Sequence, residues 1–342
     1  MQFNANNLNH YKSYTTIDAH TEGEPLRIIS EGYPEIIGKT MLEKRQYLLE
    51  NLDHLRQLLM FEPRGHADMY GALITEPCSH DADFGILFMH NEGYSSMCGH
   101  GIIAAVTAAI ETQALNIPKS GNYIGIDSPA GLIKAYASRD NSQLKVSFDN
   151  VPSFVEALDQ QVMVEDIGQV TYDIAFGGAY YAFVDADELE IDCTPDNLQA
   201  LINAGRAIKK AVMQSVEINH PEEKALSFLY GTIFTSKKTD KPSSHSRHVC
   251  VFADGEVDRS PTGTGVSARA ALLSLKENLK EQTSIDIESI VGGKMSFSIQ
   301  QKCTYQGIDA VIPRVSGTAF ITGVHQFVLD DKDIFPKGFF LR

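Results

Sequence analysis

The sequence predicts an α/β protein of the α+β kind, built as two related halves, and three observations carry that expectation. At 342 residues the chain is long enough for two domains of about 150 residues each. Its apolar residues fall mostly in short alternating runs set off by Gly, Pro, Asp and Ser, the pattern of strands between turns. Two helical stretches are apolar nearly all round, and each follows a glycine-rich turn, which suits the centre of a domain rather than its surface.

Taken in order, Met41–Leu59 reads as a helix, with Leu42, Leu48, Leu49, Leu52, Leu55 and Leu59 forming an apolar stripe over a charged face. Strands are expected at Gly71–Ile74 and Phe84–Met89. The turn Cys98-Gly99-His100-Gly101 then opens a buried helix at Gly101–Thr112. Ile124–Ile126 and Leu144–Phe148 read as strands, and Val151–Gln169, with Pro152 and many polar residues, as the linker. Strands Ile174–Phe176 and Tyr180–Val184 precede a helix at Pro195–Val216, where Thr194 can cap and Pro195 suits the first helical position. After the strand Val249–Phe252, the turn Thr262-Gly263-Thr264-Gly265 opens the second buried helix, Gly265–Glu277, 164 positions after its counterpart (262 − 98). Met295–Ile299 and Ala319–Thr322 complete the strands. A second crossing near Gly317–Gly323 would return the tail to the first half, giving domains of 1–165 with 324–342 around the Cys98 helix and 166–323 around the Thr262 helix.

Charge and composition narrow the function. With 29 Lys and Arg against 44 Asp and Glu, the net charge is −15, which repels nucleic acid and anionic membrane surfaces. No window approaches a membrane span, and Met1–Tyr14 lacks the apolar core of a signal peptide, so a cytoplasmic protein is expected. Five widely spaced cysteines, Cys78, Cys98, Cys193, Cys250 and Cys303, fit reduced thiols better than a disulfide framework.

The starts of the two buried helices are where chemistry is expected. The first turn of a helix leaves N–H groups unpaired and carries partial positive charge, so it attracts an anion such as a carboxylate. Two such helix ends facing across a cleft would hold one small anion in a fixed orientation. Cys98 starts one of them, a position that can lower a thiol pKa from about 8.5 to roughly 3.5–7.5, although most free cysteines are simply small buried residues. His100 could serve as a base, a metal ligand or only a residue of the first helical turn. Asp258 would stand at the mouth of the second helix, able to grip an ammonium, where turn chemistry alone makes it a turn-stabilising residue. Cys78-Ser79-His80, Cys98-Gly99-His100 and the group His245, His248 and Cys250 suggest zinc, but their spacing departs from structural-zinc patterns and no metal is expected. No Walker motif or Gly-x-Gly-x-x-Gly fingerprint follows a strand.

At these residues the chain resembles the proline racemase family. Met97-Cys98-Gly99-His100-Gly101 and Asp258-Arg259-Ser260-Pro261-Thr262-Gly263-Thr264-Gly265 match its two signature blocks. Asp18-Ala19-His20-Thr21-Glu22-Gly23-Glu24-Pro25 and Arg64-Gly65-His66-Ala67-Asp68-Met69 match two more, so the resemblance spans about Ile17 to Leu341. It implies a diaminopimelate epimerase-like fold, with two pseudo-symmetric domains of mostly antiparallel strands around a central helix. It further implies an interdomain active site that needs no cofactor, and it is compatible with a homodimer. The substrate carboxylate would sit on the N–H groups of Gly99, His100, Gly263 and Thr264, with Asp258 on the ring ammonium. Tyr70, Tyr180 and Phe252 are candidates for the pocket wall by proximity to these blocks.

One departure from the pattern is informative. The family's racemases and epimerases carry cysteine at both helix starts, and here Thr262 replaces the second. Inverting Cα needs one group to take a proton from one face and another to deliver it to the opposite face, and a threonine hydroxyl is too weak for that near neutral pH. The Cys/Thr pair resembles the family's trans-3-hydroxy-L-proline dehydratases, which are hydro-lyases. In that substrate the Cα hydrogen and the 3-hydroxyl both lie opposite the carboxylate, on one ring face. A single base, Cys98, could therefore work alone, with the leaving hydroxyl protonated by the thiol, by water or by His100. A hydroxyproline epimerase or proline racemase, and an amino-acid-binding protein without turnover, are the alternatives.

Overall fold

The computed structural model describes residues 4–119 and 121–341. The leucine stripe that starts the first half folds as two short helices, α1 (Met41–Tyr47) and α2 (Asp53–Met60), joined by a π-helical turn at Leu48–Leu52. Thr40 caps α1, its hydroxyl accepting the Glu43 N–H at 3.1 Å. Met41, Leu48, Leu55, Leu58 and Leu59 are buried, while Leu42 and Leu49, one residue off that seven-residue spacing, stay exposed. The two apolar helices are α3 (Gly99–Glu111) and, later in the chain, α5 (Gly263–Lys276), each starting two residues before the expected position. Between them α4 (Leu198–Ser215) follows a single 3₁₀ turn at Pro195–Asn197 and buries Leu201, Ile202, Ile208 and Val212.

The strands form one hydrogen-bonded network that repeats itself. In the first half Glu24–Glu31 runs parallel to Tyr70–Thr75, which pairs antiparallel with Phe84–His90; that strand turns into Gly93–Ser95 and runs parallel to Ile124–Ser128. In the second half Tyr180–Asp185 runs parallel to Leu229–Ser236, which pairs antiparallel with Ser246–Phe252; that strand turns into Glu256–Val257 and runs parallel to Ser284–Ser289. The buried helix follows the short hairpin both times. Other pairings are antiparallel.

The stretch expected as a linker is instead mostly strand. Ser153–Val164 pairs with Gly168–Phe176 and touches Ile308–Gly317. Its polar side chains suit a strand that leaves much of one face in water, so polarity there was no sign of irregular chain. Ala319–Leu329 correspondingly pairs along its length with Lys12–Thr21, and each strand that follows one repeat thus joins the first strand of the other.

Ile102, Ile103 and Val106 of α3 pack with Phe88, Ile126 and Phe148, in a core that also takes in Val266 and Ala270 of α5. A separate core lies between α4 and the second-half strands, around Ile174, Val184, Phe234 and Val249. None of the described cysteines forms a disulfide. Among the described residues no helix is long and apolar enough to cross a membrane.

Candidate active site

Short hairpins lead into both buried helices. The first leaves Cys98 at the cap of α3 in extended backbone (φ −148°, ψ 110°), where its Sγ accepts the Gly101 N–H at 3.3 Å, as a serine cap would. The approach to α5 is wound by two successive side-chain turns. Asp258 Oδ1 accepts the Ser260 N–H at 2.7 Å, and Ser260 Oγ accepts the Thr262 N–H at 3.1 Å. Thr262 ends this winding at φ 68°, ψ 98°, a backbone that a β-branched residue rarely adopts. Its hydroxyl is buried and makes no well-formed hydrogen bond among the described residues, although the Cys250 thiol lies beside it.

The N-termini of α3 and α5 meet at glycine. A Cβ on Gly99 would stand 2.8 Å from Gly263 Cα, and a Cβ on Gly263 would stand 2.7 Å from Gly99 Cα. Because the obstacle is backbone on both sides, nothing flexible can yield. Gly263→Ala is therefore expected to force the helix ends apart, lowering stability by about 1–3 kcal/mol, the usual cost of overpacking, and weakening ligand binding. A denaturant midpoint and a calorimetric titration of the variant check both.

Around this contact a cleft of about 500 Å³ contains Cys98, Gly99, His100, Asp258, Thr262, Gly263 and Thr264 in its lining, so all seven residues picked from the sequence share one site. The N–H groups of Gly99, His100, Gly263 and Thr264 donate to no other described group, which leaves them for an anion. Two hydroxyls hold the helix ends in place: Thr21 Oγ1 donates to the His100 carbonyl at 2.8 Å, and the Tyr181 hydroxyl bonds Thr264 Oγ1 at 2.7 Å.

The walls correct one expectation and add to the others. Tyr70 and Phe252 line the cleft, but Tyr180 belongs to the second-half core, against Phe154 and Phe176. Alternation along the strand sends its neighbour Tyr181 to the cleft instead. Glu24 and Ser95 also line it. Glu24 is buried, accepts the Arg259 N–H at 2.7 Å, and is held well above the usual carboxylate range by burial and by the nearby Asp258. Its place in the third family block was the available signal. Arg259 in turn bridges the halves, 3.1 Å from Asp68.

Cys98 differs from expectation in the direction of its titration. Burial pushes its thiol well up; the Gly101 N–H opposes this, the Asp258 and Glu24 carboxylates add to it, and the Tyr70 hydroxyl opposes it. The ring of His100, whose Nδ1 is 3.2 Å from Sγ, has its pKa lowered by burial, against the pull of Asp258 and the Pro25 carbonyl. Since the thiolate is the reactive form and burial disfavours charge, a higher pH is needed to populate it. Alkylation of Cys98 by iodoacetamide, followed by peptide mapping, should rise with pH through a midpoint above the ordinary thiol range. Among the described residues no three His, Cys, Asp or Glu side chains converge as a metal site.

Comparison with known proteins finds relatives along nearly the whole chain. A relative from Bacillus thuringiensis subsp. konkukian, named trans-3-hydroxy-L-proline dehydratase, is 48% identical over 331 residues, covering 96% of this chain and 98% of the relative. A 3-hydroxyproline 2-epimerase from Burkholderia multivorans is 42% identical, with 97% and 99% covered. The crystal structure of a hydroxyproline epimerase from Agrobacterium vitis, with bound trans-4-hydroxy-L-proline, superposes with a TM-score of 0.88 at 30% identity, over 96% of this chain and 95% of that one. The architecture is the diaminopimelate epimerase-like fold. With the proline racemase family model matching residues 16–340, two buried helices that meet at glycine and a cysteine cap on the first of them, the chain belongs to the proline racemase family.

Proposed function

We propose that this protein removes water from trans-3-hydroxy-L-proline without a cofactor, giving Δ1-pyrroline-2-carboxylate by way of the enamine. The observation that carries this reading is the unequal pair at the helix caps, Cys98 and Thr262 lining one cleft. The substrate carboxylate would rest on the unpaired N–H groups of Gly99, His100, Gly263 and Thr264, whose donors also stabilise charge moving onto it as Cα loses its proton. The ring ammonium would meet Asp258. That pairing has a second effect, because the Asp258 carboxylate helps to raise the Cys98 thiol; neutralising it brings the thiolate nearer. Cys98 thiolate then takes the Cα proton, the C3–O bond breaks on the same ring face, and the enamine tautomerises to the cyclic imine. Burial of the site excludes water and aligns the thiolate with the Cα–H bond.

An epimerase would need a proton donor on the Thr262 side. The thiol beside Thr262, Cys250, belongs to the core formed with Tyr181, Phe183 and Ile233 and not to the cleft lining, and burial pushes its pKa far up. Proton NMR of the chelator-treated enzyme with trans-3-hydroxy-L-proline in deuterated water tests the reading. Loss of substrate with growth of the imine supports it. An inverted hydroxyproline labelled at Cα would replace it with epimerisation, and an unchanged spectrum would leave a binding protein or another substrate.

A further inference from the structure

Tyr70 is placed with more care than a wall residue needs. It opens the strand Tyr70–Thr75, and its ring lies stacked on His90 (5.6 Å between centroids, 22°) and edge-on to His100 (4.9 Å, 74°). Two imidazoles therefore fix its plane. Its hydroxyl bonds Ser95 Oγ at 2.5 Å, three residues before Cys98, and both residues line the cleft. The same hydroxyl acts on the Cys98 thiol, opposing the rise that burial causes.

Resting on the dehydratase reading, we propose that Tyr70, oriented by Ser95, is the general acid that protonates the departing 3-hydroxyl. The ring face settles which side must supply this proton. The Cα hydrogen and the hydroxyl share the face that Cys98 addresses, so the donor must stand beside Cys98 rather than beside Thr262. His100 also stands there, but a neutral imidazole carries one N–H, and its ring is engaged by the Pro25 carbonyl. The phenol is buried and kept protonated, beside Ser95, Tyr230 and the Cys98 thiol, and once Cys98 has taken the Cα proton and needs no hydrogen bond, its O–H can turn to the departing oxygen.

The protons balance over one turnover. Cys98 thiolate takes the Cα proton and becomes the thiol, the Cα–C3 double bond forms, and the C3–O bond breaks. The departing oxygen takes the Tyr70 proton and leaves as water. Proton transfer from the Cys98 thiol to the Tyr70 phenolate, directly or through Ser95, restores both groups, and no other reactant is consumed.

The test compares two leaving groups. Chloride needs no proton to depart, so the 3-chloro analogue with chlorine on the face of the hydroxyl bypasses the acid while keeping the Cys98 step. Tyr70→Phe should lower imine formation from trans-3-hydroxy-L-proline by about 100-fold or more, the usual contribution of a general acid, but lose on the chloro analogue only the hydrogen bond the phenol gives the Cys98 thiolate, about tenfold. Turnover of the chloro analogue also shows that the variant is folded and its base intact. Ser95→Ala, which leaves the phenol but frees its orientation, should lose about tenfold on the hydroxy substrate, the worth of one hydrogen bond, and little on the chloro one. Equal losses on both substrates would confine Tyr70 to the Cys98 thiol or to packing and overturn the assignment, as would wild-type turnover of the hydroxy substrate by Tyr70→Phe. Wild-type enzyme that forms no imine from trans-3-hydroxy-L-proline would overturn the dehydratase reading itself, a result distinct from either.

Discussion

Cys98→Ser is expected to reduce imine formation from trans-3-hydroxy-L-proline by at least about a thousandfold, while the substrate Kd changes by no more than about threefold. The size follows from the chemistry of the base: a serine hydroxyl is a far weaker acid than a thiol, so it supplies almost no anion at any pH the protein survives. The spared affinity follows from the geometry. Binding is assigned to backbone N–H groups of Gly99, His100, Gly263 and Thr264 and to the Asp258 carboxylate, none of which the substitution removes. Serine is also among the best helix caps, so the Gly101 N–H that Cys98 Sγ now receives at 3.3 Å keeps a partner and the start of α3 keeps its shape. Imine formation by NMR, with Kd by calorimetry on the same preparation, separates the two quantities. A variant turning over near the wild-type rate would remove Cys98 from the mechanism.

Much of this site can be read without coordinates, for a physical reason. Gly99 and Gly263 are needed because two helix ends touch there, and that demand leaves a local mark: a glycine-rich turn before an apolar helix, written twice. Features that depend on what the rest of the chain brings up are not legible in the same way. The N-terminus of α3 argues for a lowered thiol, yet Cys98 is enclosed by residues from both halves, and burial with Asp258 and Glu24 reverses the direction. Tyr180 is the wall candidate in sequence, and only the phase of the strand shows that its neighbour Tyr181 meets Thr264 instead. Ser153–Val164 reads as linker because its polar residues hide a strand with a solvated face. The Met41–Leu59 stripe likewise conceals a π-helical turn, since one inserted residue is absorbed without breaking the apolar spacing.

Thr262→Cys should add an activity that the parent lacks: inversion at Cα of hydroxyproline, seen in deuterated water as an epimer carrying deuterium at Cα, at about 100-fold or more above any inversion by the parent, the usual contribution of a positioned acid. The position already has most of what a second thiol requires. Thr262 occupies the N-cap position of α5 as Cys98 occupies that of α3, lines the same cleft, and has a hydroxyl that makes no well-formed hydrogen bond among the described residues. Exchange for a thiol of similar size therefore costs no established bond, and it relieves a β-branched side chain from a backbone at φ 68°, so the melting temperature should not fall. With thiols on opposite faces of the ring, a carbanion formed at Cα has two fates, loss of the 3-hydroxyl on the Cys98 face or capture of a deuteron on the other. A substrate without the hydroxyl, proline, has only the second, and for it the variant should act as a plain racemase. A folded variant that still binds substrate and forms imine, yet delivers no deuterium with inversion to either compound, would show that the residue at 262 is not what withholds inversion from this enzyme.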